Sequence, residues 1–316
     1  MKPWLKERLA EIAAVRVDDS LSDGALAALT AIHQSLASLA ASEPEGTESE
    51  ARETFAQLCA QCVRRSAGNQ RLTRRGRMLP LLFHLFSQTD TSFDEARYAV
   101  CLRRTFRLAE DWHRKWGAVP DCDLSAQQRN NEYDLLRCLV EAFRYADEAD
   151  RREDPDYRYL AARLTAWLSA MEADGSWHGI SDREAVRRLD VLTSFEPFIN
   201  DSTADPAADY PFTKRIAQSV NVYFARTVRS IDAADPAADA ETLYQLYQIV
   251  QYGLTRPDEA KAAQIARWAV RKTAPALPDA AETLQSDSLW ALAIVLDHEC
   301  QQQNQRLKTR LLACSA

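Results

Sequence analysis

The chain has 316 residues, 46% apolar and 27% charged, enough to bury a sizeable core and unlike a disordered or collagen-like composition. Its formal charge of −7 is a small acidic excess, 46 carboxylates against 39 basic groups, which bears on solubility and disfavours generic nucleic-acid binding. Only 8 glycines and 12 prolines, with abundant Ala, Leu, Arg and Glu, argue against a sheet protein and for an all-α fold.

Apolar residues recur at spacings of three and four, and clusters of Pro, Gly, Asp or Ser close each run. This predicts about twelve helices in antiparallel hairpins. The first two, 4–15 and 22–41, form an N-terminal helical extension, 1–41, followed by the polar, acidic stretch SEPEGTESE, read as a flexible loop over 42–50. Two helices alone bury too little apolar surface to stand as a domain, so 1–316 is expected to be a single all-α domain. The first residues, MKPWLKERLAEIAAVRVDD, carry charges every few positions where a secretory signal needs an unbroken apolar stretch.

Helices follow at 50–66 and 76–88. The first carries Cys59 and Cys62, a single Cys-x-x-Cys with no second pair at zinc-finger spacing, read as buried thiols. Between the two, RRSAGNQRLTRRGR holds six arginines and no acid; Arg71, Arg74, Arg75 and Arg77 are candidate contacts for an acidic protein partner or polyanion. The longest apolar run, Met78 to Phe86, is interrupted by Pro80 and His84 and falls short of the roughly 20 residues that cross a bilayer. With an odd count of 7 cysteines at no regular spacing, the expectation is a reduced, cytoplasmic setting without membrane contact.

The helix 92–116 opens on Ser92 with Glu95 three residues on, a capping box, and ends on Glu110, Asp111, Trp112, His113 and Trp116. In 126–149, Tyr133, Leu136, Leu139, Val140 and Phe143 share one face while Asp134, Arg137, Glu141 and Arg144 occupy the other. Pro155, flanked by Asp154 and Asp156, opens 156–173, and Ser181 with Glu184 forms a second capping box at the head of 181–199. Glu196 and Asn200 flank the helix-disrupting Pro197 near the end of that element. Helices at 211–231, 238–253, 257–273 and 280–312 complete the chain, and the string Ala-Asp-Pro-Ala-Ala-Asp recurs at 204–209 and 234–239 as turn chemistry. Tyr244, Tyr247, Gln248, Gln251 and Tyr252 make a polar-aromatic stripe on 238–253. Asp297, His298 and Cys300 have metal-ligating chemistry but splay around one helix, so no metal is expected.

One segment resembles a known family. Trp167-Leu168, then Asp174-Gly175-Ser176-Trp177, is similar to the QW motif of terpenoid cyclases and protein prenyltransferases, with Glu172 where that family has Gln. The resemblance implies an α/α toroid, six helical hairpins in two rings around a central cavity, favoured here over an open α-solenoid. The acidic clusters of those enzymes, Asp-x-Asp-Asp or Asp-Asp-x-x-Asp, do not occur, so their chemistry does not carry over. Without any family, the segment also makes physical sense as a staple in which Trp177 folds back over the base of a hairpin.

Two functional readings remain open. In the first, a toroid cavity binds or transforms a small or oligomeric ligand, with a lean to a carbohydrate: Trp112, Trp177, His178 and Tyr247 would contact it, and Asp111, Asp174 or Glu196 would supply acid or base chemistry. In the second, a non-catalytic helical-repeat scaffold docks an acidic partner through the arginine-rich segment. Neither calls for a cofactor. Phosphate loops, Gly-x-Ser-x-Gly elbows and His-Glu-x-x-His strings are absent from the sequence.

Overall fold

A computed structural model describes positions 4, 5 and 7, several positions among 24–35, then 95–144, 153–174, 177, 179–200, 216–227, 240–253, 257–273 and 286–314. Among these residues the chain is helical and has no strand. The elements are α1 (Glu95–Trp116), a 3₁₀ turn (Asp121–Asp123), α2 (Ala126–Phe143), α3 (Pro155–Asp174), α4 (Asp182–Asn200), α5 (216–227), α6 (Ala240–Tyr252), α7 (Glu259–Thr273) and α8 (Ser286–Cys314). The expected helices 50–66 and 76–88, the loop 42–50 and the box at Ser92 lie outside the described residues.

Helix starts are fixed by side chains that satisfy the exposed amides of a first turn. Asp154 accepts from the amides of Asp156 at 2.8 Å and Tyr157 at 3.4 Å, and Pro155 takes the first helical position of α3. The Ser181 box forms as expected: Glu184 N donates to Ser181 Oγ at 3.3 Å and Ser181 N donates to Glu184 Oε2 at 3.0 Å. A second box joins Ser125 and Gln128 at the head of α2. Asp258 caps α7 through the Lys261 amide at 3.1 Å. Among the described residues Gly179 takes a left-handed backbone, with φ +76° in the turn between α3 and α4.

The chain divides into two compact units. One comprises Gln70–Ala238 and Gln248–Pro257, and the other Met1–Asn69, Asp239–Tyr247 and Asp258–Ala316. In the first, α2 is the central helix, packing against α1, α3 and α4. Its core holds Tyr133, Leu136, Leu139, Leu160, Leu164, Trp167, Leu189 and Leu192. At the end of α6, Gly253 approaches α4 so closely that a Cβ there would stand 3.0 Å from Thr193 Cβ. In the second unit α7 packs along α8, where Leu289 to Leu296 are buried without a break. Such a helix, apolar all round over two turns, is enclosed by protein on every side. No helix among the described residues is long and apolar enough to cross a membrane.

Candidate functional site

The polar groups of the Gln70–Ala238 unit gather where α2, α3 and α4 meet the 3₁₀ turn. Helical spacing brings them there: Tyr159, Arg163 and Trp167 recur every four residues along α3, and Glu184 and Arg188 do the same on α4. From α2 come Glu132 and Tyr133, and from the 3₁₀ turn Asp121.

Glu132 is the centre of the first cluster. Its side chain is 0% exposed, yet it receives three donors: Tyr159 Oη at 2.6 Å and Arg163 Nε at 2.7 Å, both on Oε1, and Arg163 Nη2 on Oε2 at 3.1 Å. The two guanidinium bonds form the bidentate fork that suits arginine to buried carboxylates. Trp112 Nε1 in turn donates to Tyr159 Oη at 2.8 Å, so the hydroxyl both donates and accepts a hydrogen bond. Burial, reinforced by the Glu132 carboxylate, pushes the Tyr159 phenol well above the usual tyrosine range and keeps it a donor.

Arg188 anchors the second cluster. Its Nη2 donates to Asp121 Oδ2 at 2.6 Å and its Nε to Tyr133 Oη at 3.1 Å. The guanidinium carbon lies 4.9 Å from the Trp167 ring centre, 5.5 Å from that of Trp177 and 5.8 Å from that of Tyr133. Three aromatic rings thus surround a cation supplied by the chain itself. Arg163 Nη2 stands 3.6 Å from Asp121 Oδ1 and links the two clusters. A third pair, Arg129 with Glu184 at 2.9 Å, ties α2 to the head of α4. Burial alone would raise the Glu184 carboxyl, but the backbone and hydroxyl of Ser181 together with Arg129 outweigh it and hold the group below the usual range.

The edge of this region is more open. His113 Nε2 and Asp156 Oδ1 are 2.7 Å apart, their side chains 32% and 18% exposed, and the His113 ring meets Tyr159 edge-on at 4.4 Å. Burial pushes the Asp156 carboxyl up, against the pull of His113.

Of the acids singled out in the sequence, Asp111 is 55% exposed and bound to Arg114 at 2.5 Å on the surface of α1. Asp174 and Glu196 fall within α3 and α4, and their side chains lie outside the described residues, as does His178. Trp112 is buried and committed to Tyr159. Trp177 is buried, donates its Nε1 to the Trp167 carbonyl at 2.8 Å, and donates its backbone amide to Tyr223 Oη at 3.1 Å. With the Tyr223 ring stacked on it at 5.6 Å, Trp177 joins the α3 backbone to α5. Tyr247 is fully buried in the other unit, edge-on to His298. Arg71, Arg74, Arg75 and Arg77, with Cys59 and Cys62, lie outside the described residues.

The sequence reading passed over Glu132, the hydroxyl of Tyr133, Arg163 and Arg188. A local signal existed: Glu132 is four residues before Leu136 on the apolar face of α2, and Arg188 falls between Ala185 and Leu192 on that of α4. A charge on an apolar face calls for a buried partner of opposite sign. The polar face of α2 is also partly enclosed. Glu141 is buried and holds Arg137 at 2.7 Å and Arg144 at 3.2 Å, while Arg187 pairs with Asp134.

No group of three or more metal-ligating side chains converges among the described residues. On α8, His298 meets Gln302 at 3.1 Å, and Cys300 donates to the Ser35 carbonyl at 3.2 Å. Comparison with protein-family models, with curated proteins and with solved structures finds no match to the chain.

Proposed function

We propose that the protein is a non-catalytic helical scaffold that holds an acidic protein partner through arginines on its surface. The observation carrying this reading is the extensive internal pairing of the polar centre, in which Asp121 Oδ1 and Trp167 Nε1 are the buried atoms left without a hydrogen bond among the described residues. Glu132, Arg163, Arg188, Glu184, Trp112 and Trp177 all spend their hydrogen-bonding groups on one another or on neighbouring core residues. A catalytic acid or base needs a free valence facing substrate, and a cation held in an aromatic cage leaves no room there for a ligand. Helices adjacent in the chain also pack together, α1 with α2, α2 with α3 and α7 with α8, as hairpins of an α/α toroid or an α-solenoid require. Cys138 and Cys300, buried and not in disulfides, accord with a reduced, cytoplasmic setting.

Reversing Arg71, Arg74 and Arg75 to Glu tests the reading. Salt-sensitive capture of an acidic partner should disappear while thermal stability stays unchanged, and retained capture would remove the role of that segment. A second reading has one observation in its favour: the partly exposed His113–Asp156 pair beside Tyr159 has the polarity to orient a sugar hydroxyl at the edge of the unit. Titration with oligosaccharides, followed by the His113 ring resonances, should leave those resonances unmoved if the scaffold reading holds.

A further inference from the structure

We infer that one turn of α1, carrying Arg103, Arg104 and Arg107, is a docking surface for an acidic peptide segment of a protein partner; this rests on the scaffold reading above. The distinguishing feature is what these arginines lack. From Arg114 to Arg226, nine arginines of the same unit reach a carboxylate at ion-pair distance. Arg103, Arg104 and Arg107 reach none among the described residues.

Arg103 and Arg107 are exposed and Arg104 half-buried, and spacings of three and four place the trio within one turn of the helix. Like charges at that spacing repel, so the arrangement is locally unfavourable until a counter-charge arrives. Toward the helix end, Glu110 and the Asp111–Arg114 pair bound the positive surface. The patch is therefore short. A few carboxylates of one peptide segment match it, through the forked geometry that guanidinium groups make with carboxylates. A long polyanion fits less well, because the chain's overall charge of −7 repels it beyond the patch.

The test is fluorescence anisotropy of a labelled oligo-glutamate peptide titrated with the full chain. Wild-type protein should bind it, and affinity should fall as salt is raised. The variant R103E/R104E/R107E should lose about tenfold or more in affinity. R267E/R271E serves as the control: both arginines are exposed on α7 and equally without an ion pair among the described residues, and this variant should bind like wild type. Circular dichroism verifies folding, and R103Q/R107Q replaces the reversal variant if the latter does not fold. Retained affinity in the α1 variants, with loss in R71E/R74E/R75E, overturns the α1 surface and leaves the scaffold reading standing. No binding by wild type, or equal loss in the α7 control, overturns both. Tighter binding to a single-stranded RNA homopolymer than to the peptide overturns the assignment of a peptide partner.

Discussion

Replacing Glu132 by Gln removes one charge from the most enclosed ion pair described in the Gln70–Ala238 unit while keeping the side-chain shape. The amide retains one acceptor oxygen for the three donors that now converge on the carboxylate at 2.6, 2.7 and 3.1 Å. Its NH₂ group must face a donor, and Arg163 keeps only Asp121, at 3.6 Å, as a counter-charge among the described residues. Breaking a buried pair from one side costs about 3–5 kcal/mol, because the remaining charge stays desolvated. Arg163 is 15% exposed and can recruit water, which places the cost near the lower end, about 3 kcal/mol. At about 2–4 °C per kcal/mol for a unit of this size, the melting temperature should fall by about 6–12 °C. Arg163→Met alone should be destabilising for the mirror-image reason. The double variant should then be more stable than the sum of the single losses predicts, by about 1–3 kcal/mol. Thermal and urea unfolding followed by far-UV circular dichroism reads all four proteins. A neutral Glu132→Gln, or strict additivity in the cycle, would refute the claim that this pair holds α2 to α3.

The two perturbed carboxylates should act in opposite directions. Glu184 is held below its ordinary range in the folded state, so its contribution is present above the unfolded carboxylate pKa and lost as pH falls through the folded one; Glu184→Gln should flatten the acid limb of a stability-versus-pH curve. Asp156 is pushed up by burial, so its contribution is present in acid and lost as pH rises through the folded pKa. Asp156→Asn should accordingly lose less stability at neutral pH than in acid, as paired urea titrations at the two pH values would reveal. Trp177→Phe keeps the ring over Tyr223 but deletes the donor to the Trp167 carbonyl, for an expected loss of about 1–2 kcal/mol in urea unfolding.

The helical character and the starts of α3 and α4 could be read from the chain because they depend on nearby residues. Pro155 with its flanking aspartates and Ser181 with Glu184 are separated by a few positions, and the structure closes both as the spacing requires. The polar centre was hidden for the opposite reason. Glu132 finds Arg163 31 residues away, and Arg188 finds Asp121 67 residues away. Neither partner can be chosen from periodicity, which reports a face and says nothing of what lies across from it. Glu141 shows a related limit: it lies on the polar face of α2, yet it is buried and paired with Arg137 and Arg144.

The scaffold reading separates an interior that stabilises from a surface that binds, and one titration separates them in the laboratory. Glu132→Gln protein, held well below its melting temperature, is titrated against the labelled oligo-glutamate peptide beside wild type. The two affinities should agree within about twofold, since Arg103, Arg104 and Arg107 share no hydrogen bond or ion pair with Glu132 among the described residues. A folded Glu132→Gln variant that no longer binds the peptide would contradict that separation and return the polar centre to the binding site.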